Sequence, residues 1–105
     1  MSIFAVSENR RPLVLAIALT ESNCNYDVKH ADSKTCGIGG IKRLFWQDVL
    51  GNTNANSLKA IELVINHLIA KNNGNIYHAI REYKGGVANL KTTNRCFDLY
   101  KKLKG

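Results

Sequence analysis

A chain of 105 residues has room for one small domain with one core, and we assign residues 1–105 to it. With 45% hydrophobic and 22% charged residues, one proline and no repeat or low-complexity tract, it excludes a linker-joined architecture. The net charge of +7 favours a polyanionic partner such as nucleic acid, acidic lipid or anionic cell-wall polymer, without choosing among them.

The first stretch, RRPLVLAIAL, has the charge-then-apolar order of a signal peptide. The TESNCN that follows lacks a small-x-small cleavage pattern, and the run is too short to span a bilayer. Residues 13–20 are therefore expected to belong to the fold, leaving no export signal and no transmembrane segment in this chain. A first helix is predicted over 11–22, with Pro12 in its first turn and Ser7 or Asn9 as cap. Residues 23–40 read as a long loop with room for a short strand or turn, a length that points to function. Residues 41–50 read as a short helix or helical turns, and GNTNANS as a turn cluster.

Leu58, Ile61, Val64, Ile65, Leu68 and Ile69 recur at helical spacing and predict a helix over 57–72, stopped at Gly74 in a left-handed cap. Ile76, Ala79, Ile80 and Tyr83 mark a further helix over 75–84, ended by KGG. Cys96, Leu99, Tyr100 and Leu103 mark a last one over 93–103. The expected class is mostly α, with a minor β element in the 23–40 loop. Three cysteines without C-x-x-C spacing argue against zinc. Cys24 and Cys36 could close a short loop, or all three thiols could stay reduced. His30, His67 and His78 are far apart in the chain, so neither metal nor cofactor is expected.

Two polar groups end apolar stripes. Val14, Ile17, Ala18 and Glu21 share one helix face, so Glu21 projects from the buried side one turn beyond the last apolar residue. Desolvation at such a place disfavours a carboxylate and favours the protonated acid that general acid catalysis needs. Tyr83 ends the stripe of Ile76, Ala79 and Ile80 in the same way, and its hydroxyl must find a partner.

Three segments in order, LAIALTESNCNYDV, CGIGGI and AIREYKGG, resemble the soluble lytic transglycosylase domain of the lysozyme-like superfamily. Glu21 and Ser22 match the family's Glu-Ser pair and Asn25 its loop asparagine. Gly37, Ile38 and Ile41 match its glycine-rich turn, and Tyr83, Gly85 and Gly86 its late tyrosine-glycine motif. The family's glutamine falls on Gly40, its asparagine on Lys84, its loop proline on Tyr26 and its loop serine near His30 or Ser33. The resemblance implies a small lysozyme-like fold and a peptidoglycan glycan strand as substrate, with Glu21 as the single catalytic acid and base. The glycan would be cut between muramoyl and glucosaminyl units to leave 1,6-anhydro ends. Ser22, His30, Ser33, Gly37, Ile38, Gly40, Ile41, Tyr83 and Lys84 would contact substrate, with Lys84 free to meet a peptide-stem carboxylate.

Asp27, Asp32 and Asp48 are available as a water-activating base, which would make the chain a hydrolytic muramidase instead. A catalytically inactive wall-binding or partner-binding scaffold is a further alternative. Nucleic acid is not the expected partner, because the densest charge lies at the C-terminal end and the 23–40 loop is too long for a helix-turn-helix. The implied site of action is the periplasm or cell wall, reached from a phage virion or lysis protein or as a mature exported domain.

Overall fold

The computed structural model describes residues 5–22, 35, 36 and 38–105. Cys24, Asn25, Asp27, His30, Asp32, Ser33 and Gly37 lie outside the described residues, and so does the Cys24–Cys36 bridge. Cys96 is a free, buried thiol.

A 3-10 turn, Glu8–Arg10, leads into α1 (Arg11–Ser22). Leu13, Val14, Ala16, Ile17 and Ala18 are all fully buried. These positions cover a little over half of the helix circumference, wide enough for α1 to pack on two neighbours at once. Accordingly α1 packs on both α3 (Leu58–Lys71) and α5 (Leu90–Lys104), while α3 also packs on α4 (Ile76–Tyr83). Ile17, Ile38, Ile61, Ile65 and Ile80 meet in one core. The class is mostly α, and its small β element is the antiparallel pair β1 (Thr35–Cys36) and β2 (Ile41–Lys42), with Cys36 opposite Ile41.

Residues 41–50, expected to be helical turns, divide. Ile41 and Lys42 go to the strand pair, and only α2 (Gln47–Leu50) is α-helix. Arg43 accounts for the split: its guanidinium donates to the carbonyls of Thr53 and Gly51, both at 2.7 Å, and ties the intervening turn to the end of α2. Helix preference in this segment loses to these side-chain-to-backbone bonds.

The helix ends follow side-chain chemistry. Ser57 caps α3 by accepting from the Ala60 N–H, and Asn75 caps α4 by accepting from that of His78. Beyond α3, Gly74 takes φ 87° and donates to the carbonyl of Ile69 at 2.8 Å. Ser7 does not cap with its side chain. Its backbone N–H donates instead to the Glu62 carboxylate on α3 at 3.0 Å. The last helix begins at Leu90, ahead of the expected 93, because the 3-10 turn Gly86–Asn89 runs straight into it.

Glu62 is 1% exposed, and Lys59 donates to its other oxygen at 2.7 Å. Burial works to raise this carboxyl, but the bonds from Lys59 and Ser7 prevail and hold it below its ordinary value. A folded-state value below the unfolded one stabilises the protein above the ordinary carboxylate range. That contribution is lost as pH falls toward the folded value. Glu62→Gln should therefore destabilise the protein at neutral pH by about 2 kcal/mol, the cost of a lost charged hydrogen bond. The deficit should shrink between about pH 6 and about pH 3 in thermal melts. A deficit constant with pH would reject the assignment.

No described helix is long and apolar enough to cross a membrane.

Candidate active site

The three sequence motifs meet at the C-terminal end of α1. Ser22 is buried, and its Oγ lies 2.7 Å from the Ile38 carbonyl and 3.2 Å from that of Ala18. The hydroxyl thus ties the end of α1 to the turn at 38–40. Asn56 holds the same turn from another side, its Oδ1 accepting from the Ile38 N–H at 2.8 Å. Tyr83 closes the third side, its hydroxyl donating to the Gly39 carbonyl at 2.6 Å. Contacts over sequence separations of 16, 18 and 44 residues therefore fix one short turn beside the Glu21-bearing helix end.

Gly39 sits too close to its neighbours for any side chain. A Cβ there would come within 2.5 Å of Ile61 Cγ1 and 2.8 Å of the Tyr83 hydroxyl. Gly39→Ala should destabilise the protein by about 1–3 kcal/mol through overpacking and displacement of Tyr83. A melting temperature equal to wild type would show that the turn moves freely.

Glu21 is partly exposed, its side chain 21% accessible. It is not left alone in an apolar pocket, as the helix stripe implied. Lys84, one residue beyond α4, reaches across with its Nζ 3.0 Å from Glu21 Oε1 and 2.6 Å from Thr20 Oγ1. The lysine side chain is 1% exposed. A buried ammonium demands a countercharge and hydrogen-bond acceptors, and Glu21 and Thr20 supply them. The expectation that Lys84 stands free to meet a peptide-stem carboxylate is thus corrected: its charge is turned inward and committed to Glu21.

The Tyr83 ring is partly exposed, but its hydroxyl is desolvated. Burial first, then the nearby Glu21 carboxylate, pushes the phenol well above its ordinary value, so it remains a neutral donor to Gly39. Cys96, on α5, backs the cluster. Burial raises its thiol, and this outweighs the opposing influence of Lys84 and Thr20. Cys96 is therefore a packing residue and not a nucleophile.

Ile38 and Ile41, expected to contact substrate, are each 2% exposed and belong to the core. Ile38 contributes through its backbone alone. Gly40, with φ 63°, lines an open cavity of about 260 Å³ together with Lys42, Phe45, Trp46, Glu82 and Tyr83. Asp48 lines a different cavity, with His67 and Lys71. No group of metal-ligating side chains occurs among the described residues.

No family model matches this sequence, no curated protein matches it, and no solved structure matches its fold. The reading of the site therefore rests on its own residues. Sequence reasoning missed Thr20 and Asn56. Thr20 directly precedes Glu21 in α1, and a threonine there bonds back to the Ala16 carbonyl while its oxygen still accepts from Lys84. Asn56 sits in the GNTNANS cluster, where nothing in the sequence separates a turn asparagine from one that reaches another loop.

Proposed function

We propose that this chain is a peptidoglycan lytic transglycosylase with Glu21 as its proton donor and acceptor. The observation that carries the reading is the convergence of its motifs. Ser22 and Tyr83 clasp the 38–40 turn from two sides, and the carboxyl group of Glu21 emerges beside that clasp, partly open to solvent. One accessible carboxyl group beside a turn fixed from three sides is the arrangement a single-acid glycosidase needs.

In this reading Lys84 supplies the proton. The resting pair is an ammonium and a carboxylate joined by a 3.0 Å hydrogen bond. A bound glycan excludes water from the pair. With the glycan bound, the relay passes a proton along this bond from Lys84 Nζ to Glu21. Glu21 donates it to the glycosidic oxygen as the bond from C1 to that oxygen breaks. The muramoyl 6-hydroxyl then closes on C1, gives its proton to Glu21 and forms the 1,6-anhydro ring. The carboxyl group returns that proton to Lys84. No water is consumed and no second carboxylate is needed, unlike the paired mechanism of most glycosidases. Tyr83 holds the turn and keeps its own proton throughout.

The test is digestion of purified murein by the wild type and by Glu21→Gln, with the products weighed by mass spectrometry. Anhydro-ended products that disappear in the variant support the proposal. Reducing ends would make the chain a muramidase. The site of action under this reading is the cell wall, whose anionic polymers the net charge of +7 would attract.

One observation favours a second reading, a wall-binding scaffold without turnover: the same ion pair can serve only to neutralise the buried Lys84 ammonium. Retained binding to murein, with no product across a range of pH and salt, would decide for it.

A further inference from the structure

Large exposed hydrophobic side chains concentrate at one turn. Leu44 is 72% exposed and Phe45 76%, while Trp46 next to them is half-buried. The Phe45 and Trp46 rings meet edge to face with centroids 5.1 Å apart, and Trp46 stands edge-on to His67 on α3 at 5.8 Å. The turn is held firmly. Phe45 and Trp46 both donate from their backbone to the Lys42 carbonyl, and Arg43 anchors the turn to Gly51 and Thr53. A bulky aromatic fixed outward in this way loses little conformational entropy when something binds to it. An exposed aromatic cluster of this kind is a candidate binding surface.

The surroundings select the occupant. The ridge divides two cavities, and both Phe45 and Trp46 line each of them. The first, about 260 Å³, shares Gly40 and Tyr83 with the Glu21 site and carries Lys42 and Glu82. The second, about 330 Å³, carries Asp48, His67 and Lys71. The Lys71–Glu82 ion pair, 3.3 Å long, joins one cavity's wall to the other's. Each cavity thus offers an acid, a base and aromatic surface. An apolar peptide would take those charged groups out of water and give them no hydrogen bonds in return, at a cost. A saccharide satisfies both kinds, since its hydroxyls donate and accept while the C–H face of its ring lies on the aromatic ridge.

We infer that the Phe45–Trp46 ridge is a glycan platform that carries the strand from the Tyr83 side of the Glu21 site across to the His67–Lys71 cavity. This inference rests on the glycosidase reading above. It adds that the strand is gripped on both sides of the ridge, well beyond the reacting bond.

Trp46 is the sole tryptophan of the chain, so its emission reports on the ridge alone. The probes are soluble N-acetylglucosamine oligomers, read by fluorescence, and purified murein, read by cosedimentation and product release. The platform predicts a saturable change of Trp46 emission with the oligomers. It also predicts affinity at least about tenfold weaker in Phe45→Ser, as for loss of an aromatic anchor. Phe45 is mostly exposed, so this variant should melt like wild type. Should wild type cut murein while Trp46 emission stays flat and Phe45→Ser binds equally well, the platform is wrong and the glycosidase reading stands. Absence of both binding and cutting overturns the two together. A wild-type dimer that becomes monomeric in Phe45→Ser, seen by analytical ultracentrifugation, would make the ridge a self-association face and overturn the platform.

Discussion

Glu21→Gln is expected to reduce release of anhydro-ended products by about 10³-fold, within the range typical of a lost general acid. Glutamine keeps the shape of the side chain and can still accept from Lys84, so binding of murein should survive. What it lacks is a transferable proton at the carboxyl position. The substitution also has a structural consequence that must be separated from the catalytic one. It leaves the Lys84 ammonium, 1% exposed, without its countercharge. Removing one partner of a buried pair costs about 3–5 kcal/mol. For a domain of this size total stability is on the order of 5–15 kcal/mol, so the variant should still fold but melt much lower. Assays well below that lowered transition, with cosedimentation to verify binding, isolate the chemistry. Undiminished turnover in a folded Glu21→Gln variant would remove Glu21 from the mechanism.

The sequence made the helices legible because burial follows period. The stripe from Leu58 to Ile69 and the terminator at Gly74 translate directly into α3 and its cap. Between residues 41 and 50 the outcome was decided by bonds from the Arg43 side chain to the carbonyls of Gly51 and Thr53, which hydrophobic periodicity does not register. The candidate site divides in the same way. The position of Glu21 on the face of α1 could be read from spacing, and so could the need of Tyr83 for a partner. That Lys84 would turn inward could not. Its burial depends on α4 ending beside α1, a relation between segments 63 residues apart. The periodicity argument therefore placed the carboxyl group correctly at the edge of the core but missed the cation beside it. Ile38 and Ile41 misled for the opposite reason: a motif position says which backbone lines a groove, not which way its side chain faces. Both are buried in the core, and the backbone of Ile38 is committed to Ser22 and Asn56.

Lys84→Met provides the sharpest separation between a proton-supplying pair and a merely neutralising one. Methionine fills the volume of the lysine stem without its charge. Glu21 then loses its cation, but with 21% of its side chain accessible it can turn to water. The stability loss should be about 1–3 kcal/mol, smaller than that of Glu21→Gln, because the buried ammonium has no comparable route to solvent. The double variant Glu21→Gln with Lys84→Met leaves neither charge unpaired. It should be less destabilised than the sum of the singles by at least about 1 kcal/mol, the coupling expected of residues in direct contact. Additive losses would mean that the ion pair contributes nothing to the fold. Activity follows different logic. If Lys84 delivers the proton, Lys84→Met should turn over murein about 10²-fold more slowly, at the low end for a proton-transfer group, while binding it normally. If the lysine only balances charge, turnover should stay near wild type once the protein is folded. A Lys84→Arg control keeps the positive charge but not a readily transferred proton, since a guanidinium does not give one up in proteins. Recovery of stability without recovery of turnover in that variant is the outcome the relay requires, and recovery of both would sink it.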